Sequence, residues 1–452
     1  MPSHLTKADS ILDELFVRLP AESLTLKKLD TLVPLTSSHL AGPVIALFEP
    51  AEEEELSLLL RMAPQMGLGI YTLRSGRALD PSQNQGSKEG VVLLSLRRMA
   101  KPAEVDQANL SVRAWGGASL VEMARAVSSA NLRCPMLPGA LRQAPLEAAL
   151  ASNLPGPMTA RYGWPRDQVM ALRVMLPNGE VLRCGTRCFK DVTGYYSKDM
   201  FLGSENALGI ILEANLRLIP KARSNSYLLF TLPFNEEFAG RLLSLPASAP
   251  RALAAFEILN SRSLELLGSP IPAHMQSGLE VQIFVALEGH ADEVRFAQAW
   301  LQSWAKPAAI QQLEPAAAAR YLQLGTAFGD DPLGESFLTS GKNLAQLVGR
   351  METAQVNGRI RWLYRPLLGQ MVFSPLLRNV REDLSPWLDW VNGYLEASKH
   401  SECRWSLGLR SGLSHLPPMD GLEGRIYSAL KKRLDPQSLL NPGKLSSCVS
   451  EI

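Results

Sequence analysis

The chain has 452 residues, of which 46% are hydrophobic and 20% charged, with 46 basic and 44 acidic groups and a formal net charge of +2. A chain of this length outgrows a single hydrophobic core and calls for more than one domain. The balanced charge excludes a function built on a basic nucleic-acid footprint or on attraction to an anionic membrane surface. The five cysteines (Cys134, Cys184, Cys188, Cys403 and Cys448) contain no CxxC pair, and Cys184 with Cys188 lacks the second pair that a four-ligand metal set needs. The N-terminal MPSHLTKADSILDELFVRL carries acids where a secretory signal would be apolar, and no apolar run reaches the roughly 20 residues of a membrane span. A reduced, cytoplasmic protein is expected, with membrane association only through partners.

In chain order, residues 1–40 read as a polar helical arm. PVIALFEP reads as a strand, and AEEEELSLLLRMAPQMG as an amphipathic helix with acids in its first turn, where the helix dipole favours them. GIYTLR and GVVLLSLRRM are the next strands, so residues 41–104 are expected to form a small, largely parallel sheet. SVRAWGGASLVEMARAVSSANL reads as strand, double-glycine turn and helix, opening a second subdomain over 105–222. Its end, Arg161 to Pro220, reads as strand, Pro-Asn-Gly turn, strand and a short helical segment before GSENALGII. There Gly203 and Gly209 let backbone approach a bulky ligand, and Ile210-Ile211 opens another strand. From 223 to 400, SYLLFTLPF, ALAAFEILN and LEVQIFVALEG alternate with helices, as in an antiparallel-sheet domain. Residues 401–452 close with an amphipathic helix, GRIYSALKKRL, a stop at Asp435-Pro436, and the turn Asn441-Pro442-Gly443-Lys444.

The Arg161–Pro220 run resembles the second half of the FAD-binding domain of the vanillyl-alcohol oxidase and p-cresol methylhydroxylase family. With FEILNSRSLEL and the LNPGK ending in the expected order, residues 40–447 resemble that family's glycolate oxidase and D-lactate dehydrogenase branch. The resemblance implies an α+β fold: a two-subdomain FAD-binding domain of the p-cresol methylhydroxylase type, an antiparallel cap domain, and a C-terminal helix returning to the FAD domain. It implies FAD as cofactor and places a diphosphate-wrapping loop at Arg74, Ser75, Gly76, Arg77, Ala78 and Leu79. Backbone N–H groups of such a loop hold the diphosphate, and a side chain there collides with it. The large Arg77 departs from the pattern, although its charge suits a phosphate.

Further cofactor contacts implied are Pro138, Gly139, Asn153, Gly156, Gly163, Gly203, Gly209, Ile210, Ile211 and Asn441. The family's second glycine pair is replaced by Glu147-Ala148, and a carboxylate facing a diphosphate in a poorly solvated site repels it. Asn206 replaces a glycine in GSENALG, and asparagine tolerates positive φ. Lys190-Asp191 and Gly194-Tyr195 resemble an element packing beneath the flavin.

The substrate side departs further. Where this branch has H-x-G-D-G-N-x-H to bind a metal, the counterpart is Arg365-Pro366-Leu367-Leu368-Gly369-Gln370-Met371-Val372. It has none of the imidazoles or carboxylates that hold a divalent cation. Where the branch has G-E-H-G, with a histidine base, the chain reads Gly408-Leu409-Arg410-Ser411, and His415 stands five residues beyond Arg410. No catalytic residue and no metal ligand is therefore assigned. Trp362, Tyr364 and Trp405 are expected to be packing aromatics. The loss of both motifs resembles the FAD-binding accessory subunit of glycolate oxidase, which implies a catalytic paralogue and an iron–sulfur subunit as partners. The alternative is an FAD-free pseudo-enzyme that scaffolds the same assembly.

Overall fold

The structure is a computed structural model. It describes residues 13–15, 17–25, 44–73, 88–136, 145–153, 155–187, 194–267, 275, 280–322, 335–338, 360–368, 370–375, 404–405 and 421–442. Three sheets carry the architecture. The first contains β1 (Leu24–Thr25), β2 (Val44–Phe48), β3 (Leu68–Thr72) and β4 (Gly90–Leu94) in the order β1-β2-β4-β3. β2 and β3 run parallel to β4, whereas β1 pairs antiparallel at the edge. Helix α1 (Glu53–Met62) connects β2 to β3, with Glu53, Glu54 and Glu55 in its first turn and Leu56, Leu59, Leu60 and Met62 buried. Within the expected N-terminal arm, Leu15, Leu19 and Leu24 are buried in this core, and β1 joins the sheet. Leu19 N donates to Leu15 O at 2.9 Å, so the two leucines stand one helical turn apart and reach the same core.

The second group comprises β5 (Glu104–Asp106), β6 (Ser111–Trp115), β7 (Leu132–Arg133), β8 (Val169–Met175), β9 (Val181–Gly185), β10 (Ile210–Arg217) and β11 (Ile219–Pro220). Five of them form an antiparallel sheet in the order β5-β6-β10-β8-β9, while β7 pairs with β11. Helices α2 (Leu120–Ser129) and α3 (Leu146–Ser152) bury their apolar residues against one face of the five-stranded sheet. A register shift between Ile211 and Glu213 lets β10 serve two cores. Ile210 and Leu212 pack with the first sheet, whereas Ile211, Ala214 and Leu216 pack with α2 and α3.

The third sheet is built from β12 (Ser224–Pro233), β13 (Leu253–Asn260), β14 (Glu280–Gly289), β15 (Gln311–Leu313), β16 (Glu335–Leu338), β17 (Ile360–Arg365), β18 (Gln370–Pro375) and β19 (Arg404–Trp405). Its order is β15-β12-β14-β13-β17-β18-β16-β19, every pair antiparallel. Helices α4 (Glu236–Ser248) and α5 (Ala291–Trp304) cover one face, and Trp362 and Tyr364 fill that core, as packing aromatics do. The other face packs α6 (Pro315–Leu322) together with Met158 and Tyr162 of the second group. Both faces of β14 are covered, so its sequence is a continuous apolar run rather than an alternation.

Helix α7 (Gly421–Leu434) brings the chain back to the first sheet. Beyond it Leu440 bridges Ile70 in parallel, with Ile70 N donating to Leu439 O at 2.8 Å and Asn441 N to Ile70 O at 2.7 Å. The Tyr71 hydroxyl donates to Pro442 O at 2.9 Å. The tail thus lies beside β3 as an added strand and fixes where Asn441 stands.

Candidate cofactor site at the seam of the two sheets

The end of β3, the start of α3, the turn before β10 and the C-terminal tail converge on one buried polar cluster. The return of the tail is held by Lys431, whose ammonium donates to Ala207 O at 2.7 Å, Leu440 O at 2.8 Å and Asp435 Oδ2 at 2.5 Å. Burial pulls its pKa below the ordinary lysine value, while the Asp435 charge works in the opposite sense. Asp435 also accepts from Leu439 N and Leu440 N, each at 2.8 Å. Asp435-Pro436 is therefore a capped stop that aims the next residues at β3.

Asn441, at φ +42, accepts from Thr72 N at 3.2 Å and donates to Thr72 Oγ1 at 3.3 Å and Glu205 O at 2.6 Å. Thr72 Oγ1 also accepts from Asn206 Nδ2 at 3.1 Å, and the same amide nitrogen donates to Glu147 Oε1 at 2.6 Å. Thr72 is 7% exposed, and Glu147, Asn206 and Asn441 are 2% exposed each. Asn206 Oδ1 is buried with no hydrogen-bond partner among the described residues.

Local backbone chemistry explains why these groups meet. Glu205 and Asn206 both adopt φ +55, the left-handed region that asparagine accepts more readily than most residues. Asn153 ends α3 at φ +46, and the orphan carbonyls of that helix are taken by the turn: Gly203 N donates to Leu150 O at 3.2 Å and Glu205 N to Ala151 O at 2.9 Å. At the other end of α3, Glu147 N donates to Gly116 O at 2.9 Å. A Cβ on Gly116 would lie 2.1 Å from Ile211 O, so only glycine lets the Trp115–Gly117 turn sit between β10 and α3. The Glu147 carboxylate lies in the first turn of α3, where the helix dipole favours it, and is committed to Asn206.

The residues expected to contact a cofactor fall into distinct places. Arg74, Ser75, Gly76, Arg77, Ala78, Leu79, Pro138 and Gly139 lie outside the described residues, as do Lys190, Asp191, Gly408, Leu409, Arg410, Ser411, His415 and Lys444. Asn153 and Gly203 meet at the end of α3, and a Cβ on Gly203 (φ +84) would stand 3.5 Å from Asn153 Cβ. Asn441 belongs to the seam cluster. Gly156 donates its N–H to Thr159 Oγ1 at 2.9 Å, and Gly163 N donates to Thr159 O at 2.8 Å, so both shape the segment that crosses to the third sheet. Gly209 is needed for packing, since its Cβ would lie 2.6 Å from Val174 Cγ1. Ile210 and Ile211 are both fully buried and point into different cores.

Segment 155–163 is sewn to the third sheet by charged groups. Arg133 grips Glu288 of β14 with two bonds of 2.6 Å, Arg161 Nη1 donates to Glu288 O at 2.5 Å, and the Tyr162 hydroxyl donates to Glu288 Oε1. Arg365 Nε donates to Glu257 Oε1 at 2.7 Å and its Nη1 to Pro155 O at 3.2 Å, with Arg365 3% exposed and Glu257 fully buried. Burial pushes the Glu257 carboxyl up, and Arg365 opposes that shift. Sequence reasoning missed Thr72, Arg133, Glu257 and Glu288. Polar residues inside otherwise apolar strands, as in FEILN and VALEG, were the available signal.

Residues 44–185 match the family described as FAD binding domain. The chain is 28% identical to glycolate oxidase subunit GlcD of Bacillus subtilis over 249 residues, covering 55% of this chain and 52% of that one. It is 27% identical to D-lactate dehydrogenase of Archaeoglobus fulgidus over 240 residues, or 53% and 52% of the two chains. The chain thus spans about half the length of these curated relatives. Among solved structures, p-cresol methylhydroxylase with substrate bound superposes with a TM-score of 0.75 at 16% identity, covering 100% and 99% of the two chains. The fold is that of p-cresol methylhydroxylase, and the chain carries an FAD binding domain. FAD is the cofactor of that domain. The seam fits such a group in that it gathers buried polar side chains and leaves Asn206 Oδ1 without a partner among the described residues, an acceptor for a cofactor N–H or hydroxyl. No described helix is long and apolar enough to cross a membrane.

Proposed function

We propose that the protein is the FAD-binding subunit of a cytoplasmic 2-hydroxyacid dehydrogenase complex of the glycolate or lactate type, with its own substrate-oxidation residues lost. Its partners in this reading are a catalytic FAD-linked paralogue and an iron–sulfur subunit. Asn441 at the seam, Asn153 and Gly203 at the end of α3, and Gly156, with the loop from Arg74 to Leu79, would hold the flavin, which supplies the redox chemistry when bound.

The observation that carries the reading is Arg365. Its counterpart in the branch opens a metal-binding motif, yet here it is a buried guanidinium paired with Glu257 and reaching Pro155 O. An arginine neither takes a proton from a hydroxyacid at neutral pH nor binds a cation. The pair joins the third sheet to segment 155–163, a structural use of that position.

The second reading, an FAD-free scaffold, is favoured by Glu147, a buried carboxylate at the position where the family has glycine. The two separate in one preparation. The purified chain should carry a flavin spectrum and be inert toward glycolate and lactate alone, gaining turnover on co-expression with the paralogue. A colourless protein that FAD does not stabilise thermally refutes the FAD-binding reading. Turnover by the chain alone refutes the loss of substrate chemistry.

A further inference from the structure

The face of the five-stranded sheet opposite α2 and α3 carries a cavity of about 350 Å³ that opens to solvent, a size in the range of small-molecule sites. Strand register sets its walls. Arg173 on β8 stands opposite both Glu213 on β10 and Arg183 on β9, and Arg113 on β6 stands opposite Asn215 on β10. Gly185 ends β9 at φ +77, where a Cβ would lie 2.3 Å from Met170 O, and the chain beyond it brings Arg187 to the cavity wall.

The charges are unevenly paired. Glu213 accepts from Arg113 Nη2 at 2.7 Å and from Arg173 Nη1 at 3.5 Å. Arg173 also grips Glu53 of α1 at 2.9 and 2.8 Å, and Arg113 reaches Glu104 at 3.3 Å. Arg113 and Arg173 thus have carboxylates to spare. Arg183 and Arg187 form no ion pair or hydrogen bond among the described residues, although Arg183 faces Arg173 directly across the strand pair. Like charges so placed repel, and nothing in the described chain offsets this pair at Arg183.

Asn215 supplies an independent observation. It lines the cavity, is 8% exposed, and its side-chain amide has no hydrogen-bond partner among the described residues, so the amide is open to the cavity. An amide so placed offers a donor and an acceptor to whatever enters the cavity.

We infer that this cavity binds a small dianion, a dicarboxylate or a phosphate monoester, whose two charges meet Arg183 and Arg187 and whose polar body meets the Asn215 amide. Guanidinium forks match the planar carboxylate and the phosphate equally well, so both ligand sources share this chemistry. Because α3 packs on the other face of the sheet, the site is separate from the cluster around Glu147.

Isothermal titration calorimetry of the full chain at constant ionic strength tests this, with succinate and glycerol 1-phosphate as probes and acetate as the monoanion control. Saturable binding of at least one dianion and none of acetate is expected, and the preferred probe identifies the ligand source. Arg183→Ala, Arg187→Ala and Asn215→Leu should each weaken it by about tenfold, the scale of one lost bond to a charged group, with flavin content unchanged. The two arginines are exposed, so their variants carry the test even if Asn215→Leu fails to fold. No saturable heat with either dianion, or equal binding by the arginine variants, overturns the inference.

Discussion

Replacing Glu147 by glutamine should tighten FAD binding. The carboxylate is 2% exposed and held by Asn206 Nδ2 at 2.6 Å, so it keeps its place while solvent screens it little. A phosphate charge brought within about 6 Å of that carboxylate, at an effective dielectric of about 20, would cost about 3 kcal/mol. Asn206 can still donate to a glutamine oxygen, but exchanging an ionic acceptor for a neutral one loses about 1 kcal/mol. The difference of about 2 kcal/mol corresponds to about 30-fold in Kd. Quenching of FAD fluorescence during titration of apoprotein reads this directly, and Glu147→Gly should follow the same direction. An unchanged or weaker affinity in Glu147→Gln would show that the carboxylate does not face the diphosphate, and the electrostatic reasoning would fail.

Other substitutions probe the supports of the site. Asn441→Ala removes three hydrogen bonds that tie the tail to Thr72 and Glu205, and should lower stability by about 2–3 kcal/mol in urea unfolding, with loss of FAD affinity. Arg365→Met leaves Glu257 buried without its cation and should destabilise by about 3–5 kcal/mol, most of it recovered in the double variant with Glu257→Leu. For Glu288, burial raises the carboxyl, but Arg133 and Tyr162 outweigh it and hold the pKa below the ordinary value. A depressed folded-state value contributes stability above the unfolded pKa, and that contribution is lost as pH falls through the folded one. Thermal unfolding should therefore show an acid-side loss setting in below about pH 4.3 that is smaller in Glu288→Gln.

Much of the fold was legible because its segments are locally consistent. PVIALFEP, the acid-capped helix after it and GVVLL satisfy strand or helix rules without help from distant residues, and they form β2, α1 and β4. Nothing in the sequence around Leu15, Leu19 and Leu24 marks them as core residues, because their partners lie in the folded sheet. The candidate site was legible in part. Asn206 and Asn441 could be picked out as asparagines in turns, and both indeed take positive φ. Thr72 could not, since a threonine ending a strand looks like any other until the tail and the 203–209 turn bring two amides to its hydroxyl. Gly203 and Gly209 looked alike in sequence, yet one sits in the left-handed region at the end of α3 and the other is small because Val174 leaves no room. Distinguishing those roles requires knowing what packs opposite, which a single sequence does not encode locally.

The chain is expected to hold a flavin that it does not itself reduce with substrate. Anaerobic absorption spectroscopy of the purified protein with glycolate or D-lactate added, followed by dithionite, tests it most directly. A flavin band that neither hydroxyacid bleaches and that dithionite does is expected. Bleaching by a hydroxyacid in the isolated chain, or the absence of any flavin band after FAD is supplied, would contradict it.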